Sequence, residues 1–261
     1  MIFRYITLSL LFFVKAFAFA QKQPIAVVSP RDLELPTIHP KDIIVKHTGF
    51  TLCYNEPYEQ AGWVAYELTS EETNRVVERS NRFIPDPNVP TGTADNSDYA
   101  GSGYDRGHLA PAADMGWSAK TMQESFYFSN MSPQVPSLNR GIWKKGEEMV
   151  RDWANLYGSL YIVTGPVLEK GLPVIGPNKV AVPERYYKII LDYHPQRPKM
   201  LAWLMPNKAS SESLRFYVVP TDSVETLTGI DFFPALPDSL EVALESTKQT
   251  NLWDWQPSQM Q

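Results

Sequence analysis

Residues 103–111, GYDRGHLAP, bring a carboxylate, a guanidinium and an imidazole within four positions of one another. The chain has only four histidines, His39, His47, His108 and His194. An imidazole with an ordinary pKa near ~6.5 can take a proton from water at neutral pH. Gly107 beside His108 marks special backbone geometry, and Pro111 favours an extended Ala110. His108 is therefore a candidate general base with Asp105 and Arg106 as charged neighbours. On these residues alone, a satisfied core or surface histidine accounts for the pattern equally well.

A second group of candidates lies downstream. Leu138, Ile142, Met149, Trp153 and Leu156 recur at helical offsets, which predicts a helix over 138–157. Gly158 is placed to end it. On a continuous helix Glu147 lies ~80° around from Asn139 and ~12 Å along the axis, while Glu148 lies ~180° away. That separation is long for two direct ligands of one ion. It suits one direct ligand and one group acting through water, which Mg²⁺ accepts because it keeps several waters. A helix cap at Asn139 and a solvated Glu147 remain the alternative.

The elements that must hold these groups follow from the apolar pattern. IIVKHTGFTLCYN, GWVAYELT, LYIVTGPVL, VPERYYKIILDY, MLAWLMP and FYVVP read as strands separated by Gly, Pro and Asn turns. Residues 70–80 read as moderately helical and 81–103 as a long loop. SAKTMQESFYFSN reads as a short helix running into a strand. Thr221 and Asp222 ahead of Glu225 suggest a capping pattern, and a last helix is expected over 238–247. Strands without strict alternation with helices predict an α+β fold, its sheet largely antiparallel and flanked by helices. No linker divides the chain, so residues 45–250 read as one domain behind an irregular lead-in at 21–44.

The formal net charge is −5 over 261 residues, so long-range attraction does not favour nucleic acid. A polyanionic substrate would need a local basic site, for which Arg140, Lys144, Lys145 and Arg151 are available. The single cysteine, Cys53, makes no internal disulfide and reads as a small buried apolar side chain. The scattered histidines and this cysteine lack zinc-ligand spacing.

At the N-terminus, Arg4, the apolar run 6–14 and Ala18-Phe19-Ala20 read as a signal peptide over 1–20. It implies a secreted or periplasmic protein. No later stretch has the ~18 unbroken apolar residues of a membrane span, so no stable membrane insertion is expected.

GYDRGHLAP followed by FYFSNMSPQVPSLNRGIWKKGEE resembles the DNA/RNA non-specific endonucleases, the group that contains endonuclease G. The matching motifs are Asp105 to His108, Ser129 to Gln134, and Leu138 to Trp143 with Glu147; GWVAYEL and TGIDFFPAL add to the likeness. The resemblance implies a ββα-metal motif, in which a hairpin supplies the histidine and a helix the metal-binding asparagine. It implies an endonuclease that hydrolyses phosphodiester bonds of DNA and RNA with little sequence preference. His108 would be the general base and Asn139 the one direct protein ligand of a hydrated Mg²⁺, with Mn²⁺ able to substitute. Glu147 would act on that ion through water, Arg106 would hold phosphate, and Asn130 would support the constellation. The family also uses an upstream arginine, for which Arg79 is chosen over Arg75 and Arg82. Arg140 and Lys144 are expected to contact substrate. Gly146 departs from the leucine common at its position and bears on the placement of Glu147. A homodimer is compatible with the resemblance. The competing reading is a catalytically inactive relative that binds nucleic acid or protein.

Overall fold

A computed structural model describes residues 32–194 and 196–256. The expected signal peptide, and the lead-in as far as residue 31, lie outside the described residues. Residues 32–42 are irregular apart from turns. In chain order the strands are β1 (Ile43–Lys46), β2 (Thr51–Asn55), β3 (Gln60–Thr69), β4 (Asp105–His108), β5 (Met131–Gln134), β6 (Ser159–Pro166), β7 (Val174–Ile175), β8 (Val180–Ala181), β9 (Arg185–Asp192), β10 (Lys199–Pro206) and β11 (Val218–Val219). The α-helices are α1 (Asn96–Tyr99), α2 (Ala119–Glu124), α3 (Lys144–Tyr157), α4 (Thr221–Thr228) and α5 (Asp238–Glu245).

Seven strands form one sheet in the order β1-β2-β3-β6-β9-β10-β11, with every neighbouring pair antiparallel. This is the expected α+β arrangement. Strand alternation sorts the side chains to two faces. On one face Val64, Tyr66, Leu160, Ile162, Tyr186, Ile190, Leu201 and Trp203 pack with Leu138, Ile142, Val150 and Trp153 of the α3 region. On the other, Trp63, Ala65, Val163, Tyr187, Ile189, Met200 and Ala202 pack with Val224, Phe232, Phe233 and Leu244. The helices therefore cover both faces, and each layer has its own apolar core. Trp253 closes one end of the first layer, its ring centroid 4.4 Å from that of Trp153. Cys53 is half-buried against the second layer rather than fully enclosed.

Several elements differ from the sequence reading. IIVKHTGFTLCYN folds as two strands, β1 and β2, paired with each other. Residues 70–80 contain turns but no helix. Their backbone instead bonds across the fold: Val76 N and Val77 N both donate to Gly116 O, at 2.9 and 3.2 Å. Thr73, Val76 and Val77 are β-branched and offer a helix little. The helix expected over 138–157 is broken. Leu138–Trp143 is an irregular wide turn with Gly141 at φ −107°, ψ −114°, and regular helix begins at Lys144. The inward face of α3 is consequently Gly146, Val150, Trp153 and Ala154, and Leu156 is exposed. Gly158 ends the helix at φ 95° as expected. Before α4 no side-chain cap forms, because the cap position is Pro220, which has no side-chain acceptor, and Thr221 already lies inside the helix; Glu225 Oε1 accepts from Phe232 N. Among the described residues, no helix is long and apolar enough to cross a membrane.

Candidate active site

Apart from the large sheet, β4 pairs with β5, placing Gly107 opposite Ser132 and His108 opposite Met131. The pair needs a glycine at 107. A Cβ there would fall 2.3 Å from the Gln134 side chain, which lies across the strand. The chain leaving His108 is clamped by the buried carboxamide of Asn130. Ala110 N donates to Asn130 Oδ1, and Asn130 Nδ2 donates to Ala110 O and Ser125 O, each at 2.9 Å. Leu109 N adds a bond to Asn130 O at 3.0 Å. The imidazole is thus fixed from its own backbone.

The His108 ring is 8% exposed. It meets Phe126 edge-on at 4.8 Å and Phe83 at 5.7 Å between centroids. Its Nε2 is buried without a hydrogen-bond partner. Burial foremost, then the charges of Arg79 and Arg106, pulls its pKa down from 6.5 to about 3. The ring is therefore neutral at physiological pH, the form that accepts a proton.

His108 opens on a cavity of about 370 Å³ that is also lined by Arg79, Arg106, Asn139, Arg140, Lys144, Glu147 and Arg151. Groups remote in sequence thus share one recess. Arg79 lies over the Phe126 ring at 4.9 Å and Arg106 over Phe83 at 4.4 Å, so the two aromatics that enclose His108 also seat the arginines. Arg79 donates to Asn81 Oδ1 at 2.9 Å and Arg106 to Asn96 Oδ1 at 3.0 Å. Neither forms an ion pair among the described residues. Arg75 is instead paired with Glu78 at 2.7 Å, and Arg82 is not among the residues that line the cavity.

Asp105 joins the strand to the broken helix start. Its Oδ2 accepts from Asn139 Nδ2 at 2.9 Å and from Arg140 Nε at 2.8 Å, and its Oδ1 accepts from Arg140 at 2.5 Å. Burial raises this carboxyl, but the hydrogen bonds from Arg140 and Asn139 outweigh it and hold the pKa below the usual range. With its amide nitrogen so engaged, Asn139 has its amide oxygen left as a ligand atom. The oxygen donors of Asn139 and Glu147 suit a hard cation such as Mg²⁺ or Mn²⁺, and no His/Cys cluster is present among the described residues. Arg140 reaches the cavity already forked on Asp105, so it is a less available cation than sequence reading implied. Lys144 lies 3.6 Å from Glu148, both exposed. Lys145 lines a different groove.

Beneath the cavity is a polar layer that sequence reading missed. Tyr66 Oη donates to Asp114 at 2.8 Å, and Arg151 pairs with the other Asp114 oxygen at 2.7 Å. Lys188, 1% exposed, holds its Nζ 5.2 Å from the Trp143 ring centroid. Burial pushes the Glu147 carboxyl up and the Lys188 ammonium down, and each charge offsets the other's shift. The one available signal was a lysine inside the apolar run RYYKIILD.

A two-strand unit bearing a neutral histidine, followed by a wide turn bearing an asparagine that leads into a helix, across a cationic recess, defines the ββα-metal class of site. The family model described as DNA/RNA non-specific endonuclease matches residues 37–239, and the chain belongs to that family. It is 37% identical over 204 residues to mitochondrial endonuclease G of Bos taurus, covering 71% of this chain and 67% of that protein. A nuclease of Nostoc sp. is 33% identical over 219 residues, 79% of each chain. The crystal structure of an EndoG/EndoGI complex superposes with a TM-score of 0.73 at 33% identity, over 82% of this chain and 91% of the other. The chain is accordingly a hydrolytic, non-specific endonuclease. Relatives named as mitochondrial, bovine endonuclease G among them, overturn the expectation of a secreted or periplasmic protein.

Proposed function

We propose that this enzyme hydrolyses phosphodiester bonds in both DNA and RNA with little sequence preference, with His108 as general base beside one hydrated Mg²⁺. The observation that carries the reading is the convergence of His108, Asn139 and Glu147 on one cavity rimmed by Arg79, Arg106, Arg140 and Lys144. Asn139 through its amide oxygen, and Glu147 through water, would hold the ion. When bound, it would relieve charge on the phosphate oxygens and assist the departing alkoxide.

The remaining work falls to the protein. The neutral His108 imidazole takes the proton of the attacking water. Asn130 fixes the ring by holding the backbone that follows it. Arg79 and Arg106 grip the non-bridging oxygens and stabilise the charge that builds at phosphorus. A phosphate seated between these arginines also offsets the charges that depress His108, so substrate binding raises the basicity of the base. Contacts centred on phosphate carry no sequence information, in keeping with weak discrimination among sites.

The test is plasmid nicking and RNA cleavage with and without EDTA. Wild type should cut both substrates only with a divalent ion. His108→Ala should lose at least ~10²-fold in kcat, the low end for a general base, while keeping the same thermal stabilisation by Mg²⁺. Binding of nucleic acid without cutting under any metal condition would leave the inactive-relative reading in its place.

A further inference from the structure

Asp222 and Glu225, one turn apart on α4, and Glu245 at the end of α5 bring one carboxylate oxygen each within 4.8 Å of one another. None of the three has an ion pair among the described residues. Glu245 is 5% exposed, and its Oε1 is buried with no hydrogen-bond partner. A carboxylate aimed into two others, enclosed and unpaired, is costly to keep in water-poor surroundings unless something positive joins it. The cluster sits with Val224 and Leu244 on the second face of the sheet, whereas the catalytic cavity belongs to the first.

We propose that Asp222, Glu225 and Glu245 form a divalent-cation site suited to Ca²⁺, which ties α4 to α5 on the sheet face away from the catalytic cavity. Three carboxylates offer hard oxygen ligands, and Ca²⁺ accepts them in variable geometry, whereas Mg²⁺ demands near-ideal octahedral placement and sheds its waters reluctantly. Glu225 Oε1 is engaged by Phe232 N at 2.9 Å, which holds that side chain in place while its second oxygen serves as ligand. Asp222 is exposed, so the site has an open side for entry and for the waters that complete the shell.

The test is thermal unfolding of EDTA-treated, dialysed protein titrated with Ca²⁺ alone, in wild type and in Asn139→Ala, where the ion's hold at the catalytic cavity is weakened. Ca²⁺ should raise Tm by about 5 °C at saturation in both. Glu245→Gln should abolish the rise, and so should Asp222→Asn, whose exposed side chain leaves folding intact. A Tm indifferent to Ca²⁺, or a rise that survives in Asp222→Asn, overturns the site. So does a Glu245→Gln variant more stable than wild type at every Ca²⁺ concentration, which would mean that Glu245 holds a proton rather than a cation.

Discussion

The depressed basicity of His108 makes a prediction about stability that needs no substrate. In the unfolded chain this histidine titrates near 6.5, and in the folded protein near 3. Between those limits the unfolded state binds a proton that the folded state refuses, so stability is full above pH 6.5 and falls as pH drops toward 3. Each pH unit well inside the window costs about 1.4 kcal/mol. From pH 7 to pH 5 the loss attributable to this one group is about 2 kcal/mol, or roughly 5 °C in Tm for a chain of this size. His108→Gln removes the titrating group at similar volume. Thermal unfolding of both proteins at half-unit steps from pH 5 to pH 8 isolates its contribution, because every other group cancels in the difference. The variant should gain on the wild type steadily as pH falls below 6.5. Parallel curves would mean that the ring is solvated enough to charge normally, and the account of its burial by Phe83 and Phe126 would fail.

Gly107→Ala should destabilise by about 2 kcal/mol through overpacking against Gln134, and a Gln134→Ala background should remove most of that added cost in chemical denaturation. Gly146→Ala should instead stabilise by about 0.5–1 kcal/mol at unchanged turnover: a Cβ there meets Trp203 at 3.4 Å and Leu214 at 3.5 Å, which is ordinary contact. Trp253→Ala, removing a ring packed on Trp153, should cost about 3–5 kcal/mol in a urea titration.

Much of the sheet was legible because its strands are apolar runs with turn residues between them. The helix from Lys144 to Gly158 was legible from periodicity and a terminal glycine. The break at Gly141 was not, since its neighbours Leu138 and Ile142 keep helical spacing on either side of it. Asn139 therefore does not stand on the same regular helix as Glu147, and a distance worked from helical rise has no meaning between them. Residues 70–80 misled for a related reason: charge and length suggested a helix, but hydrogen bonds to Gly116 are long-range and leave no local trace. Contacts such as Asp105 with Asn139, or Tyr66 with Asp114, join residues tens of positions apart that nothing in a lone sequence pairs. Family motifs brought His108, Asn139 and Glu147 together; the layer of Asp114, Arg151 and Lys188 beneath them has no motif to announce it.

Asp105 spends one carboxylate on two neighbours, a carboxamide and a guanidinium. Whatever draws Arg140 outward leaves more of that negative charge for Asn139, which polarises the amide and enriches its oxygen in electron density. Occupancy at one side chain is thereby communicated to the other across a single bridging group. By thermodynamic reciprocity the influence runs equally in both directions, so the two ends of the recess answer to each other as one equilibrium.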